Sequence, residues 1–448
     1  MRRLILPVTC ALGLGACAPD YQKGVDAAAR GDYETAIEQW QPLADQGHPE
    51  AQSRLGEVYF QGTGVTRNYQ QAARWVRQAA EQGEPEAQAL LGQMYQSGLG
   101  VERSLEEAAV WYQAAANRGQ PFAQYRLGLL VLEGHGVDQD TKRAAALLED
   151  AGAQGIAPAQ LKLAELYSAG DRLPQDYAVA ARWYRAAAEG GNPIAQDRLA
   201  DLFEEGRGVP QSYENAAHWW SQAADQGVVD AQAKLGYMYE EGLGVAQNYG
   251  QAAKWYRLAA DQGAAGAQNN LANFYEQGLG VPQDYERAAA YYGLAAGQEV
   301  AAAENSLGNL YEAGQGVENS FESAAAYWRS AARRGYVEAE YNMGHAYANG
   351  VGVPKDYRLA AEWWKKAANK GYAPAMTKLG FLYRLGQGVR QDPVQSYVWF
   401  NLAAARFPPG TDQAIAAGNR DEIASRLSSA QLAKGNRLSV TWRPSNNS

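Results

Sequence analysis

The sequence predicts an all-α fold, an α-solenoid of about ten 36-residue helix–turn–helix repeats closed by a C-terminal capping helix. Three observations carry this. The tetrapeptide Gly-x-Gly-Val begins at Gly62, Gly98, Gly134, Gly206, Gly242, Gly278, Gly314, Gly350 and Gly386. Its spacing is 36 throughout, with one double gap over Gly170, where the pattern decays to Gly-Asp-Arg-Leu. A fixed period of this length marks a stacked repeat architecture. Within each period, apolar and small residues recur at helical spacing in two blocks, Ala-Gln-x-x-Leu-Gly-x-x-Tyr (Ala231 to Tyr239) and Tyr-x-x-Ala-Ala-x-Trp-Tyr-x-x-Ala-Ala (Tyr249 to Ala260). Finally, the residue before every second block is Asn68, Ser104, Asp140, Asp176, Ser212, Asn248, Asp284, Ser320, Asp356 or Asp392. All are strong N-cap types, whose side-chain oxygens accept from the unpaired N–H groups of a first helical turn.

Taken in order, the chain opens with Arg2 and Arg3, then the apolar run Leu4 to Leu14, then Leu14-Gly15-Ala16-Cys17. This segment reads as a secretory signal over residues 1–16 and is too short for a stable spanning helix. Its last four residues resemble a bacterial lipobox, which implies cleavage before Cys17 and acylation of that cysteine. Ala18 after it, rather than Asp, resembles the sorting pattern for the outer membrane. Residues 17–30 are expected to be a linker and the start of an entering half-repeat, and residues 31–392 the repeat array. Residues 393–434 hold an altered last helix and a capping helix over Asp412 to Leu432, and residues 435–448 a polar tail. Each second helix should stop at a glycine in the left-handed conformation; Glu299 and Phe407 break that rule.

The combined pattern of Ala-Gln-x-x-Leu-Gly-x-x-Tyr, Gly-x-Gly-Val and Ala-Ala-x-Trp-Tyr-x-x-Ala-Ala resembles the Sel1-like repeat family, relatives of tetratricopeptide repeats. The resemblance covers most of the chain and extends to Tyr397–Ala405 with Arg420-Asp421. It implies a right-handed solenoid and adaptor or scaffold work, and it implies no reaction. In architecture, a lipobox followed by such repeats, the chain also resembles the lipoprotein scaffolds of bacterial exopolysaccharide export. That implies other envelope proteins as partners, with the lipid bilayer engaged through acylated Cys17.

Composition narrows the chemistry. A net charge of −9 argues against nucleic acid as the partner, because a phosphate backbone needs a basic face. The two cysteines, Cys10 and Cys17, both fall in the leader region, so thiol catalysis and zinc–thiolate sites are not expected. Gly-x-Gly lacks the third glycine and the preceding strand of a dinucleotide loop. His48, His135, His218 and His345 stand at four phases of the repeat and form no ligand spacing. No Gly-x-Ser-x-Gly or Ser-x-x-Lys is present. No cofactor, metal or catalytic residue is expected.

Function should then sit at positions the repeat leaves variable. On the first helices these include Arg198 and Asp201, Lys234 and Tyr237, and Asn270 and Asn273. They read either as helix-supporting i,i+3 pairs, as also at Arg54–Glu57 and Lys162–Glu165, or as a polar groove for a partner. Glu204, Glu205, Glu240, Glu241, Glu276 and Glu312 crowd the C-terminal ends of first helices. Carboxylates there oppose the helix dipole, so stability gives them no reason; solubility, a basic partner surface or a bound cation does. Paired aromatics such as Trp111-Tyr112, Trp255-Tyr256 and Trp363-Trp364 read as inter-repeat core, with one ring toward solvent, or as a ladder for sugars. The sequence therefore predicts a non-catalytic, membrane-anchored adaptor on the periplasmic side of the outer membrane, in an envelope or exopolysaccharide-export assembly. The alternative is a glycan-binding protein or enzyme acting on acidic or neutral cell-envelope polysaccharide.

Overall fold

The computed structural model describes residues 19–445, so the leader and Cys17 lie outside the described residues. Among the described residues there are 24 helices and no strand, and no helix is long and apolar enough to cross a membrane. The chain divides into two compact units between Ser212 and Tyr213.

The first unit contains α1 (Tyr21–Ala29), α2 (Tyr33–Asp45), α3 (Pro49–Gln61), α4 (Tyr69–Glu81), α5 (Pro85–Ser97), α6 (Leu105–Ala116), α7 (Pro121–Glu133), α8 (Thr141–Ala153), α9 (Ala157–Ala169), α10 (Tyr177–Glu189) and α11 (Pro193–Glu205). The second contains α12 (Tyr213–Asp225), α13 (Val229–Glu241), α14 (Tyr249–Asp261), α15 (Ala265–Gln277), α16 (Tyr285–Gly297), α17 (Ala301–Ala313), α18 (Phe321–Arg333), α19 (Val337–Asn349), α20 (Tyr357–Asn369), α21 (Ala373–Leu385), α22 (Pro393–Ala404), α23 (Thr411–Ala424) and α24 (Ser429–Thr441).

The punctuation works as its chemistry requires. The side-chain oxygens of Asn68, Asp140, Asn248 and Asp284 each accept from the backbone N–H three residues on, at 3.0 Å. The first glycine of each loop closes the first helix in the left-handed region, with φ from 66° at Gly314 to 77° at Gly62. Glu299 stands where the other second helices, apart from the last, carry glycine and is the one non-glycine with positive φ among the described residues, at 67°. Its carboxylate is fixed by Arg334 at 2.8 Å. The second glycine of the loop has a different task. A Cβ on Gly100 would lie 2.0 Å from the carbonyl oxygen of Tyr69, the first residue of the preceding second helix. Where the loop decays, Arg172 replaces this glycine, and its guanidinium reaches back to Glu133 at 2.9 Å and to the Leu132 carbonyl at 3.1 Å.

The core runs as columns through neighbouring pairs. One member of each aromatic pair is buried: Tyr112, Tyr184, Trp220, Tyr256, Trp328 and Trp364. Most of their companions are half-buried, as at Trp111, Trp183 and Trp363, while Trp255 is buried outright. Mid-helix glycines make room for these rings; a Cβ on Gly344 would come within 2.4 Å of Trp364.

A second column is polar, and the sequence reading passes over it. Buried Gln52, Gln88, Gln160 and Gln196 in the first unit, and Gln232 and Gln268 in the second, donate Nε2 to a carbonyl at the end of the preceding second helix, at 2.9–3.2 Å. Their Oε1 atoms, or that of Gln124, accept from Gln82, Gln154, Gln262 and Gln298 at 2.7–2.8 Å. At Glu304 and Glu340 the column turns acidic and the facing residue turns basic. Lys370 meets Glu340 at 2.8 Å, and Arg334 meets Glu304 at 3.6 Å.

The two ends differ from expectation. Residues 21–45 form a complete helix pair, α1 and α2, rather than a half-repeat. The single capping helix expected over Asp412–Leu432 is instead two helices, α23 and α24. Ser428 starts the second with a capping box, its hydroxyl accepting from the Gln431 N–H and the Gln431 amide accepting from the Ser428 N–H. The tail expected from residue 435 is helical to Thr441, because Gly435 lies close against Tyr397, whose hydroxyl donates to Asn436 at 2.6 Å. Beyond the helix, the Ser445 N–H donates to the Asn369 carbonyl at 2.8 Å.

Candidate functional site

In the first unit, successive first helices α3, α5 and α7 touch one another as well as their own partners, so they line a common face. A cleft of about 640 Å³ opens on this face between α1, α3, α5 and α7. Its floor is Phe60, Leu90 and Phe122, and its walls carry Glu50, Glu57, Glu84 and Glu86 against a single cation, Arg54. Arg54 is held by Glu57 at 3.2 Å. Glu84 is the N-cap of α5 and accepts from the Ala87 N–H at 2.7 Å. Burial, with Glu86 beside it, pushes the Glu84 carboxyl up to about 7.

Of these, the sequence reading takes Arg54 and Glu57 only as an i,i+3 pair on a first helix and passes over Glu50, Glu84, Glu86, Phe60 and Phe122. One signal was available for Glu84. Its counterparts His48, Gln120, Ile156, Asn192, Val228, Ala264, Val300, Tyr336 and Tyr372 include no other acid.

The sequence-predicted site residues divide into groups. Arg198 reaches Asp201 at 3.4 Å and also buried Asp197 at 3.6 Å, so the i,i+3 support is real; Arg54–Glu57 and Lys162–Glu165 form as well. Lys234 lies 5.2 Å from the Trp220 ring centroid, and Tyr237 is exposed. The Asn273 side-chain oxygen lies beside the Tyr292 hydroxyl, and Asn270 accepts from Asn269 at 3.3 Å. The later amides are also knitted in: Asn309 accepts from Trp328 Nε1 at 2.9 Å and from Asn342 at 3.2 Å.

The acidic ridge requires a correction. Glu240 and Glu276 do have a stabilising role, because each accepts from a buried tyrosine hydroxyl, Tyr256 and Tyr292, at 2.5 Å. Burial and the facing carboxylate hold both phenols far above the usual tyrosine value. The same position is Gln96 opposite Tyr112 and Ser168 opposite Tyr184, so its polarity follows the hydroxyl it serves. Glu205 pairs with Arg207 at 2.9 Å, Glu312 lies 4.0 Å from His345, Glu204 is half-buried and Glu241 exposed. Among the described residues no group of three or more His, Cys, Asp or Glu is placed to hold a metal ion.

Several half-buried rings on the second helices are engaged within the protein. Tyr291 stacks on Tyr275 and Tyr327 on Tyr311, with centroids 5.9 and 5.6 Å apart, and Lys366 Nζ sits 3.9 Å from the Trp363 ring centroid.

A helix-pair array with an open, side-chain-rich first-helix face defines a repeat protein of the interaction-scaffold class. The Sel1 repeat matches ten consecutive stretches, from 49–84 to 373–406, and the chain belongs to the Sel1 repeat family. Proteins built of these repeats generally mediate protein–protein interaction, and the fold is typically a non-catalytic scaffold. The crystal structure of c5321, a protective antigen present in uropathogenic Escherichia coli strains that displays an SLR fold, is 33% identical. The alignment covers 95% of this chain and 92% of that one, with a TM-score of 0.83. A Sel1 repeat protein from Oxalobacter formigenes is 32% identical over 76% of this chain and 98% of its own, with a TM-score of 0.49. A comparison with curated proteins gives no match.

Proposed function

We propose that the protein is a non-catalytic adaptor, tethered to the outer membrane through acylated Cys17, that holds other envelope proteins on the first-helix face of its repeats. The observation that carries this reading is the division of labour in each repeat. Core columns and caps repeat from pair to pair, while exposed first-helix positions carry side chains that do not, such as Arg54, Glu86 and Tyr237. The leader ending in Leu14-Gly15-Ala16-Cys17 supports the tether. The similarity to a protective antigen is in keeping with an envelope location. An exopolysaccharide-export assembly is one such setting. Glycan binding loses part of its support, because Tyr327 stacks on Tyr311 and Trp363 carries Lys366.

The test is in-cell photocrosslinking from Tyr237 and Leu90, with mass spectrometry of the adducts. A small set of envelope proteins is the expected result; clean labelling with no protein adduct would refute the adaptor. Separately, Cys17→Ser should abolish lipid labelling and membrane fractionation, and unchanged fractionation would remove the tether.

A further inference from the structure

We propose that the cleft between α1, α3, α5 and α7 is the docking site for a linear, cationic protein segment, one that presents Lys or Arg beside an apolar anchor. The proposal rests on the adaptor reading and names the chemistry of its partner. The cleft pairs an apolar floor, Phe60, Leu90 and Phe122, with carboxylate walls in which Arg54 is the one cation and is already engaged by Glu57. Its volume of about 640 Å³ falls within the range of ligand-sized sites.

Charge selects the occupant. A polyanion, whether nucleic acid or acidic polysaccharide, meets Glu57, Glu84 and Glu86 as like charges. A purely apolar segment would cover the half-buried Glu84 without supplying a counter-charge, which is costly for a carboxylate. A lone metal ion has no cluster of three ligands here. An ammonium or guanidinium on an extended backbone meets both demands, with its charge on the wall and its stem or neighbour on the floor.

The fold does not ask for this acidity. The nine equivalents of Glu84 are non-acidic, and Gln120 at that position caps α7 as well as Glu84 caps α5, accepting from the Ala123 N–H at 2.6 Å. In the free protein the neighbouring Glu86 adds to the cost of ionising half-buried Glu84, a cost that an incoming cation relieves.

Fluorescence anisotropy on the full chain in a neutral detergent tests this. The probe is a labelled twelve-residue peptide alternating Lys and Ser around a central Phe, and the control probe carries Glu for Lys. The Lys probe should bind at low salt and the Glu probe should not. E57Q/E86Q, two isosteric changes at solvent-reached positions, should weaken the Lys probe about ten-fold, each lost charge contributing a few-fold. E205Q/E241Q, equal in charge but outside the cleft, should leave it unchanged. Equal loss in both double variants would reduce the effect to bulk charge and overturn the proposal, as would no loss in E57Q/E86Q or no binding of the Lys probe. Crosslinking from Tyr237 reads the other unit. Partner capture there with no peptide binding sinks this proposal alone, whereas peptide binding with no cellular adduct sinks the adaptor reading.

Discussion

Replacing Glu340 by Gln should destabilise the second unit locally, and replacing Lys370 by Gln as well should largely restore it. Glu340 is buried, with its side chain 5% exposed, and Lys370 Nζ lies 2.8 Å from its carboxylate and 2.8 Å from the Gly335 carbonyl. At an effective dielectric near 20 the gross attraction is about 4–6 kcal/mol, and desolvation of the carboxylate offsets most of it. A net coupling of about 2 kcal/mol remains, in the range for hydrogen bonds to charged groups. E340Q removes the counter-charge and leaves a partly buried ammonium with neutral acceptors only, the amide oxygen and the Gly335 carbonyl. The double variant recreates the amide pair found at Gln232–Gln262 and Gln268–Gln298, which closes at 2.8 Å in both cases. Because stability in a repeat array is largely a nearest-neighbour property, the readout should be local. Hydrogen exchange of the α19–α21 amides should lose about thirty-fold protection in E340Q and regain most of it in E340Q/K370Q. If the two substitutions simply add, with no recovery in the double variant, then the pair is not a unit and the covariation along this column is accidental.

Three further outcomes follow from contacts already described. Glu240→Ala or Tyr256→Phe should each cost about 1–2 kcal/mol by chemical unfolding, whereas Glu241→Ala should change nothing measurable; equal effects at Glu240 and Glu241 would return both to a surface role. Gly344→Ala should destabilise by about 1–3 kcal/mol by driving a methyl into the Trp364 ring, while Gly293→Ala, with nothing within 4 Å in mid-helix, should gain about 0.5–1 kcal/mol; thermal unfolding separates the two. The Glu84 carboxyl rises from its ordinary 4.5 to about 7 on folding, through burial and then Glu86, so its contribution to stability is complete below about 4.5 and is lost as pH climbs through 7. Discounted for partial exposure, that is roughly 1–2 kcal/mol between about pH 5 and pH 8, and Glu84→Gln, which keeps the cap, should flatten it in pH-dependent thermal unfolding.

The repeat frame is legible in the chain because its determinants are local. Caps such as Asn248 and stops such as Gly242 act within a turn of where they stand, and Glu299 stands out from the linear pattern as the acid in a column of glycines. The misreadings concern partners far apart in sequence. Glu240 looks misplaced at the end of its helix until Tyr256, sixteen residues on, brings it a hydroxyl. The Glu340–Lys370 pair joins residues thirty apart, a separation invisible to helical periodicity. The break between α23 and α24 depends on a reciprocal bond between Ser428 and Gln431, easily lost among the many Ser and Gln of that polar segment. Of the cleft, residues on α3 and α5 could be placed on a variable face, but its closure by Tyr21 and Phe122 depends on stacking between pairs.

The second glycine of each loop separates measure from meaning. Gly136, Gly208, Gly280 and Gly388 all rest on the backbone at the start of the preceding second helix, at distances that leave room for a hydrogen and nothing larger. The step from one pair to the next is thereby set here main chain against main chain, and the exposed side chains of the first helices, such as Arg54 and Tyr237, are not in this contact. Such a chain is a ruler whose graduations are struck in the backbone and whose markings are written on another edge. Substitution can rewrite the markings, acid at one step, amide or phenol at another, and the interval between them does not change.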